Sequence, residues 1–121
     1  QCAKTSSLIA KALNINDTSF STSFQSKLGP VPWLKPSTET ALEELAQAGV
    51  KKLVVACPSF VADNLETLEE IGERGKDTFI KAGGEELTLI PCLNDHPSWV
   101  SGLANILIGH STKDASAVTS A

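Results

Sequence analysis

The run Lys52-Leu-Val-Val-Ala56, followed directly by Cys57-Pro-Ser-Phe-Val-Ala-Asp63, decides the fold of this chain. The first run is apolar and β-branched, which predicts a buried strand. An amphipathic pattern then extends from Asp63 to about Lys81 and predicts a helix. A strand that feeds a helix through a short turn places that turn at the carboxyl end of a sheet, where open α/β folds bind their ligands.

The remainder of the chain alternates helices and strands in the same way. The patterns predict helices over 1–13, 38–48 and 98–110, and further strands over 19–24 and 86–91. Such alternation predicts an α/β class fold, doubly wound as a three-layer α/β/α arrangement with a parallel sheet. Because such units normally begin on a strand and this sequence begins on a helical pattern, the first strand of the domain is expected to be missing.

Capping signals mark the ends of these helices. Ser37 or Thr38 can cap the second helix, and Gly49 is placed to end it. Gly83 and its neighbouring glycine interrupt the long helix after Lys81, and His96 is expected to cap the last helix. The small, polar residues 111–121 are expected to form a disordered tail, so that the domain spans 1–110.

Composition bounds the function. With 121 residues, 41% of them hydrophobic, the chain is expected to fold as one domain with its own core. A net charge of -4 gives no basic surface for nucleic acid, and neither a membrane-spanning run nor a signal peptide is expected. Three cysteines without a C-x-x-C pair favour a reducing, cytoplasmic compartment. The absence of methionine suggests a processed chain or a piece of a longer protein.

Four carboxylates follow the strand at helical spacing. At about 100° per residue, Asp63, Glu66, Glu70 and Glu73 fall within roughly 80° of one another on a helix. Such a row could hold a divalent cation or pass protons. The same spacing is also typical of a capping box formed by Asp63 and Glu66, or of an ordinary solvated face. Spacing alone leaves these alternatives open.

Two aromatic residues stand in the turns that precede helices. Trp33 lies between prolines in a loop from Gln25 to Pro36, which is long for a bare connection. Trp33 and Phe60 could fill gaps in the packing or offer flat apolar faces to a planar ligand. Lys27 in the same loop is expected to be solvated, unless the ligand carries carboxylates.

Two long motifs resemble the C-terminal half of the ferrochelatase family. The first is Phe-Gln-Ser-Lys-x-Gly-Pro-x-Pro-Trp-Leu-x-Pro, from Phe24 to Pro36, and the second is Cys-Pro-x-Phe-x-Ala-Asp-x-Leu-Glu-Thr-Leu-Glu-Glu, from Cys57 to Glu70. The resemblance implies an enzyme that inserts ferrous iron into a porphyrin, either protoporphyrin IX or coproporphyrin, in haem biosynthesis. It also implies two similar α/β domains with the active cleft between them, of which this chain matches most of the second.

The resemblance assigns roles to individual residues. Glu66 matches the essential glutamate, and Asp63 and Glu70 match the neighbouring acids on a helix that is partly π in the family. Glu66 and Glu70 are the implied metal ligands. The residues that match the porphyrin pocket, or stand beside the essential glutamate within it, are Trp33, Phe60, Gln25, Ser26, Lys27 and Asn64.

The sequence departs from the family in three respects, of which one is Asn64, which stands where some members have a histidine two positions before the essential glutamate. The other essential residue, a histidine in a Ser-x-His-x-x-Pro-like segment, is absent, and so is the cysteine cluster that binds an iron–sulfur centre in some members. We therefore expect no permanently bound cofactor, with iron as substrate, and little activity from this chain alone. The expected partners are a porphyrin, a divalent metal and the missing N-terminal domain, with peripheral membrane contact left open. The alternatives are a non-enzymatic tetrapyrrole-binding module and a related chelatase for another metal or tetrapyrrole.

Overall fold

The computed structural model describes residues 1–27 and 29–118, with side chains up to residue 109. Two short helices in the middle of the chain are joined by Glu69 and a π-helical segment, so that they form one helical rod. In chain order the elements are α1 (Cys2–Ala12), a 3₁₀ turn (Asp17–Ser19), α2 (Thr38–Gln47), β1 (Lys52–Val55), α3 (Leu65–Leu68), the π segment (Glu70–Gly75), α4 (Lys76–Lys81), β2 (Glu86–Leu89) and α5 (Pro97–Val118).

Strands β1 and β2 pair in parallel, as the alternating pattern predicted. The register runs from Lys52 opposite Glu86 to Val55 opposite Leu89. One more hydrogen bond, from the Ile90 N–H to the Val55 carbonyl at 2.8 Å, extends the ladder towards the carboxyl edge. Because the rod from α3 to α4 connects two parallel strands, the turn after β1 and the turn after β2 lie at the same edge of the sheet. The α/β class is thereby confirmed.

The strand predicted over Ser19–Phe24 is not part of this sheet. Its end makes an isolated parallel bridge between Phe24 and Ser37, in which the Phe24 N–H donates to the Pro36 carbonyl at 3.0 Å. A strand is stable only where a neighbour satisfies its backbone groups, and no strand of the described residues lies beside this segment. The expectation that this segment forms a third strand of the sheet is therefore wrong within the described residues.

The core lies between α2, α4 and one face of the sheet. Leu42 and Ala46 from α2, Phe79 from α4 and Leu87 from β2 form its buried cluster. Phe79 is fully buried, and burial of a phenylalanine side chain contributes about 2–3 kcal/mol. Val54, on the other face, is 62% exposed. The second helical layer of the predicted three-layer arrangement is thus not formed within the described residues.

The capping predictions are confirmed for α2 and α5. The Ser37 hydroxyl accepts the Thr40 N–H at 3.2 Å. Gly49 takes a φ of 93°, a left-handed conformation that glycine adopts without a steric penalty. Its N–H donates to the Ala46 carbonyl and ends the helix. At the start of α5, the Ser98 N–H donates to His96 Nδ1 at 3.3 Å.

Helix α5 is longer than the sequence pattern predicted. It begins at Pro97, whose fixed φ suits a first helical position, and ends at Val118, although the pattern predicted an end near residue 110. Residues 111–118, expected to be a loose tail, therefore continue the helix, and 119–121 lie outside the described residues. Among the residues that the structure describes, no helix is both long and apolar enough to cross a membrane.

Candidate functional site

Gln25 joins three segments at the carboxyl edge of the sheet. Its side-chain Nε2 donates to the backbone carbonyl of Glu66 at 2.7 Å, which fixes the loop to the first turn of α3. Its Oε1 accepts the thiol of Cys57, at the end of β1, at 3.3 Å. Its backbone carbonyl accepts the indole Nε1–H of Trp33 at 3.1 Å. Residues far apart in sequence therefore meet at the edge where the sequence placed them.

Ser26 holds the carboxylate of Glu70. The Ser26 backbone N–H donates to Glu70 Oε1 at 2.8 Å, and the Ser26 hydroxyl donates to Oε2. Both carboxylate oxygens are thus bound by one residue. Ser26 has a φ of 59°, in the left-handed region that non-glycine residues rarely adopt, and this conformation directs both donors towards Glu70.

Asp63 faces the loop that follows β2. Its carboxylate accepts the Cys92 N–H at 2.9 Å and the Asn94 side-chain amide at 2.8 Å. Its own backbone N–H donates to Asn94 Oδ1 at 2.9 Å. These bonds stabilise the charged form and lower the pKa of Asp63 below its ordinary value, with the Asn94 bond as the largest cause. Asp63 therefore fastens two loops together.

Glu66 differs from both of its neighbouring acids. Its side chain is exposed, and within the described part of the chain its carboxylate has no hydrogen-bond or ion-pair partner. Of Asp63, Glu66 and Glu70, Glu66 is therefore the acid free to accept a proton or a cation. No group of three or more histidine, cysteine, aspartate or glutamate side chains among the described residues could hold a metal ion. Glu66 and Glu70 do not make a complete metal site here.

The four carboxylates do not lie along one continuous α-helix, as the predicted single row requires. Asp63 precedes α3, and the π segment begins at Glu70. A π turn adds residues to each turn, so the 100° spacing that aligned the acids does not apply across it. The capping box of Asp63 and Glu66, one of the alternatives that the spacing left open, is not formed. Asn64 is the N-cap, its Oδ1 accepts the Thr67 N–H at 3.1 Å, and Thr67 Oγ1 accepts the Asn64 N–H at 3.0 Å.

Burial dominates the chemistry of the thiols at this edge. Burial first, and then the nearby Cys92, Glu70 and Asp63, disfavour a thiolate, and together they raise the pKa of Cys57 to about 11. Burial also raises the pKa of Cys92, beside Asp63. Both cysteines are free. At neutral pH, Cys57 is therefore a thiol, in the form that can donate to Gln25.

The aromatic residues border an open surface. Trp33 is 42% exposed, and Phe60 is half-buried in the turn after β1, where its N–H bonds the Cys57 carbonyl at 3.0 Å. Two depressions lie along α2 and α4, and neither of them is lined by Trp33 or Phe60. Lys27 is exposed, as predicted. A role of Trp33 and Phe60 in binding a flat ligand therefore stays a prediction.

Comparison with known proteins identifies the family of this chain. The ferrochelatase family model matches residues 1–111. The chain belongs to the ferrochelatase family. The resemblance carried by the two motifs is thereby confirmed. The rod that carries Glu66 and Glu70 contains a π segment, in agreement with the partly π helix that the family implies.

Named ferrochelatases of Pseudomonas are close relatives. The ferrochelatase of Pseudomonas entomophila strain L48 is 59% identical over 106 residues, which cover 88% of this chain and 32% of the relative. The ferrochelatase of Pseudomonas putida strain W619 is likewise 59% identical, over the same share of each chain. That of Pseudomonas aeruginosa strain LESB58 is 55% identical and is covered to 31%. The chain spans about a third of the length of these relatives.

The structure brings together most of the residues that the ferrochelatase motifs single out. Direct hydrogen bonds join Gln25, Ser26, Trp33, Glu66 and Glu70. Lys27 has no such bond to any described residue, and Asn64 is engaged in capping. Their catalytic and binding roles stay predictions. The sequence analysis assigned no contact to Cys57 or to Asn94. The signal that could have found them is their place in the turns that follow β1 and β2.

Proposed function

We propose that this chain forms part of an enzyme that inserts ferrous iron into a porphyrin, either protoporphyrin IX or coproporphyrin, in haem biosynthesis. Membership of the ferrochelatase family supports the reaction class. The observation that carries the proposal is the contrast between two acids: Glu70 is bound through both oxygens, whereas Glu66 is exposed and has no partner among the residues that the structure describes. Metal insertion requires one group to accept pyrrole protons and another to attract a hydrated dication.

In the proposed mechanism, Glu66 accepts protons from the pyrrole nitrogens. Glu66 and Glu70 together attract the ferrous ion, which is a substrate, and further ligands come from outside the described residues. Trp33 and Phe60 form one flat wall for the macrocycle, and Gln25 and Lys27 contribute to the polar rim. Asn64 lies two positions before Glu66 and orients it by capping α3. A low-dielectric wall beside the acids strengthens their interaction with the cation.

This chain spans about a third of the length of its relatives, and we propose that its partner domain lies in the remaining part. Residues 1–110 form most of a C-terminal domain, and an N-terminal domain closes the cleft over Trp33 and supplies the histidine that this chain lacks. We propose a cytoplasmic location, which fits the free thiols of Cys57 and Cys92. No permanently bound cofactor is needed for this reaction.

The test is a chimera in which this chain replaces the matching 106 residues of the Pseudomonas entomophila relative. The chimera is expected to insert ferrous or zinc ion into protoporphyrin IX or coproporphyrin III. Glu66→Gln should nearly abolish turnover, while Glu85→Gln, an exposed glutamate remote from the site, should leave it unchanged. A porphyrin absorbance shift that saturates without metal insertion would instead support a binding module. Wild-type turnover in the Glu66→Gln chimera would contradict the assigned role of Glu66.

A further inference from the structure

One peptide group joins the aromatic wall to a carboxylate. The peptide between Gln25 and Ser26 donates its N–H to Glu70 Oε1 at 2.8 Å, and its carbonyl accepts the Trp33 indole N–H at 3.1 Å. A peptide group is planar and rigid, and hydrogen bonds at its two ends polarise each other in the same direction. The position of Trp33 and the position of the Glu70 carboxylate are therefore linked through two bonds and one rigid unit.

The loop is fixed to the helical rod at two places. Gln25 Nε2 binds the Glu66 carbonyl at 2.7 Å, and Ser26 binds Glu70. Ser26 adopts a φ of 59°, which persists in a non-glycine residue only where its surroundings determine it. Its hydroxyl donates to Glu70 and is close enough to accept from Gln25 Nε2 at 3.4 Å. Both donors of Ser26 are therefore occupied by Glu70, and neither is available to a porphyrin.

We propose that Ser26 is a positioning residue that fixes the Glu70 carboxylate, and that the Gln25–Ser26 peptide group couples this carboxylate to Trp33. The proposal rests on the proposed function and deepens it, since it assigns Ser26 to the handling of the metal rather than to the porphyrin. Removal of the hydroxyl leaves one Glu70 oxygen unbound and lets the carboxylate rotate. The porphyrin wall stays in place because Trp33 keeps its own bond.

The kinetic test uses the chimera described above. Ser26→Ala should lower kcat/KM for the metal by about tenfold, as expected for a lost hydrogen bond to a charged group, while KM for the porphyrin stays within about twofold. Ser26→Gly, which accepts the left-handed φ, should show the same loss and thereby exclude backbone strain as its cause. Trp33→Phe keeps an aromatic face without the indole N–H, and it should also lower kcat/KM for the metal. A rise in KM for the porphyrin in Ser26→Ala would overturn the proposal.

A double-mutant cycle between Ser26→Ala and Glu70→Gln distinguishes a failure of the positioning role from a failure of the proposed function. In the chimera, the double variant should be no slower than Glu70→Gln alone, because Ser26 acts only through that carboxylate. The same cycle measured by urea unfolding of this chain reports the contact without any enzyme assay. Additive effects in both assays overturn the positioning role and leave the proposed function standing. Coupling in the unfolding assay together with an inactive chimera overturns the proposed function instead.

Discussion

Asp63 and Asn94 bind each other reciprocally across the carboxyl ends of β1 and β2. The Asn94 amide donates to the Asp63 carboxylate at 2.8 Å, and the Asp63 backbone N–H donates to Asn94 Oδ1 at 2.9 Å. Asn94 takes a φ of 47°, which asparagine tolerates better than most residues, and this directs its side chain back towards Asp63. The pair holds the turn that carries Phe60 against the loop after β2.

This pair makes the stability of the chain depend on pH. The Asn94 bond and then the Cys92 N–H lower the pKa of Asp63 in the folded chain. The resulting stabilisation is complete above the unfolded pKa of about 3.9 and is lost as the pH falls through the folded pKa. Asp63→Asn should therefore lower Tm at pH 7 and flatten its decline between about pH 5 and pH 2. The measurement is thermal unfolding by circular dichroism across that range.

The matched control is Asp95→Asn, an exposed aspartate in the same loop region. It should reproduce the pH profile of the parent chain. Parallel profiles for Asp63→Asn and the parent would show that the Asp63 bonds contribute nothing to the acid sensitivity.

The capping box of α3 is the second feature open to test. Asn64→Ala removes the acceptor of the Thr67 N–H and should lower the free energy of unfolding by about 1 kcal/mol. Asn64→Asp keeps a side-chain oxygen at the N-cap and should stay close to the parent. Urea unfolding of the three proteins measures this. Equal stabilities for the alanine and aspartate variants would contradict the capping role.

The third prediction concerns the contact between Gly84 and Phe79. A Cβ at Gly84 would lie 2.2 Å from the ring of Phe79, which is fully buried. Gly84→Ala should therefore destabilise the chain by about 2–3 kcal/mol through overpacking. Gly102→Ala, in α5 with no atom within 4 Å of the new Cβ, should raise stability by at most about 1 kcal/mol. Urea unfolding distinguishes them, and a neutral Gly84→Ala would show that the ring can move aside.

The fourth prediction is a difference in thiol reactivity. A pKa of about 11 leaves Cys57 with about a hundredfold less thiolate at pH 8 than a thiol with the ordinary value of 9.0. Iodoacetamide should therefore modify Cys57 far more slowly in the native chain than in the chain unfolded in urea. Cys2 is exposed and should react at similar rates in both states. Mass spectrometry of the labelled peptides gives the rates, and rapid native labelling of Cys57 would refute the prediction.

The fifth prediction is that this chain alone inserts no metal. The acids make no complete metal site within the described residues, and the two depressions along α2 and α4 are lined by neither Trp33 nor Phe60. Zinc and ferrous ion should give no metalloporphyrin absorbance bands with the isolated chain, under conditions in which the chimera is active. Insertion at a rate comparable to the chimera would contradict the view that the site is divided between two domains.

Local signals were sufficient for much of the fold. The apolar run at Lys52–Val55, the serine at 37 and the glycine at 49 predicted β1 and both ends of α2 because each acts within a few residues. The segment at Ser19–Phe24 was predicted as a strand from its composition, but pairing depends on a neighbouring strand that local composition does not report.

The same distinction between local signals and contacts of distant segments holds for the candidate site. Family motifs singled out Gln25, Trp33 and Glu66 as functional, and the structure places them in contact. Spacing could not show that Asp63 is bound to Asn94, because that contact depends on the register of two strands far apart in sequence. A uniform helical period also could not reveal the π segment, since its position depends on where the backbone bonds change partner.

The π segment fixes the angle by which one end of the rod is rotated, about the rod's own axis, relative to the other end. On its amino-terminal side Glu66 must face the site, and on its carboxyl-terminal side Phe79 must face the core. Deleting one residue from the α-helical stretch 76–78 would turn Phe79 by about 100° relative to Glu66, so that only one of these two residues could remain in place. Substitutions are tolerable there wherever the side chain fits, but changes of length are not. The number of residues between Glu66 and Phe79 is therefore under a stricter constraint than the identity of most of them.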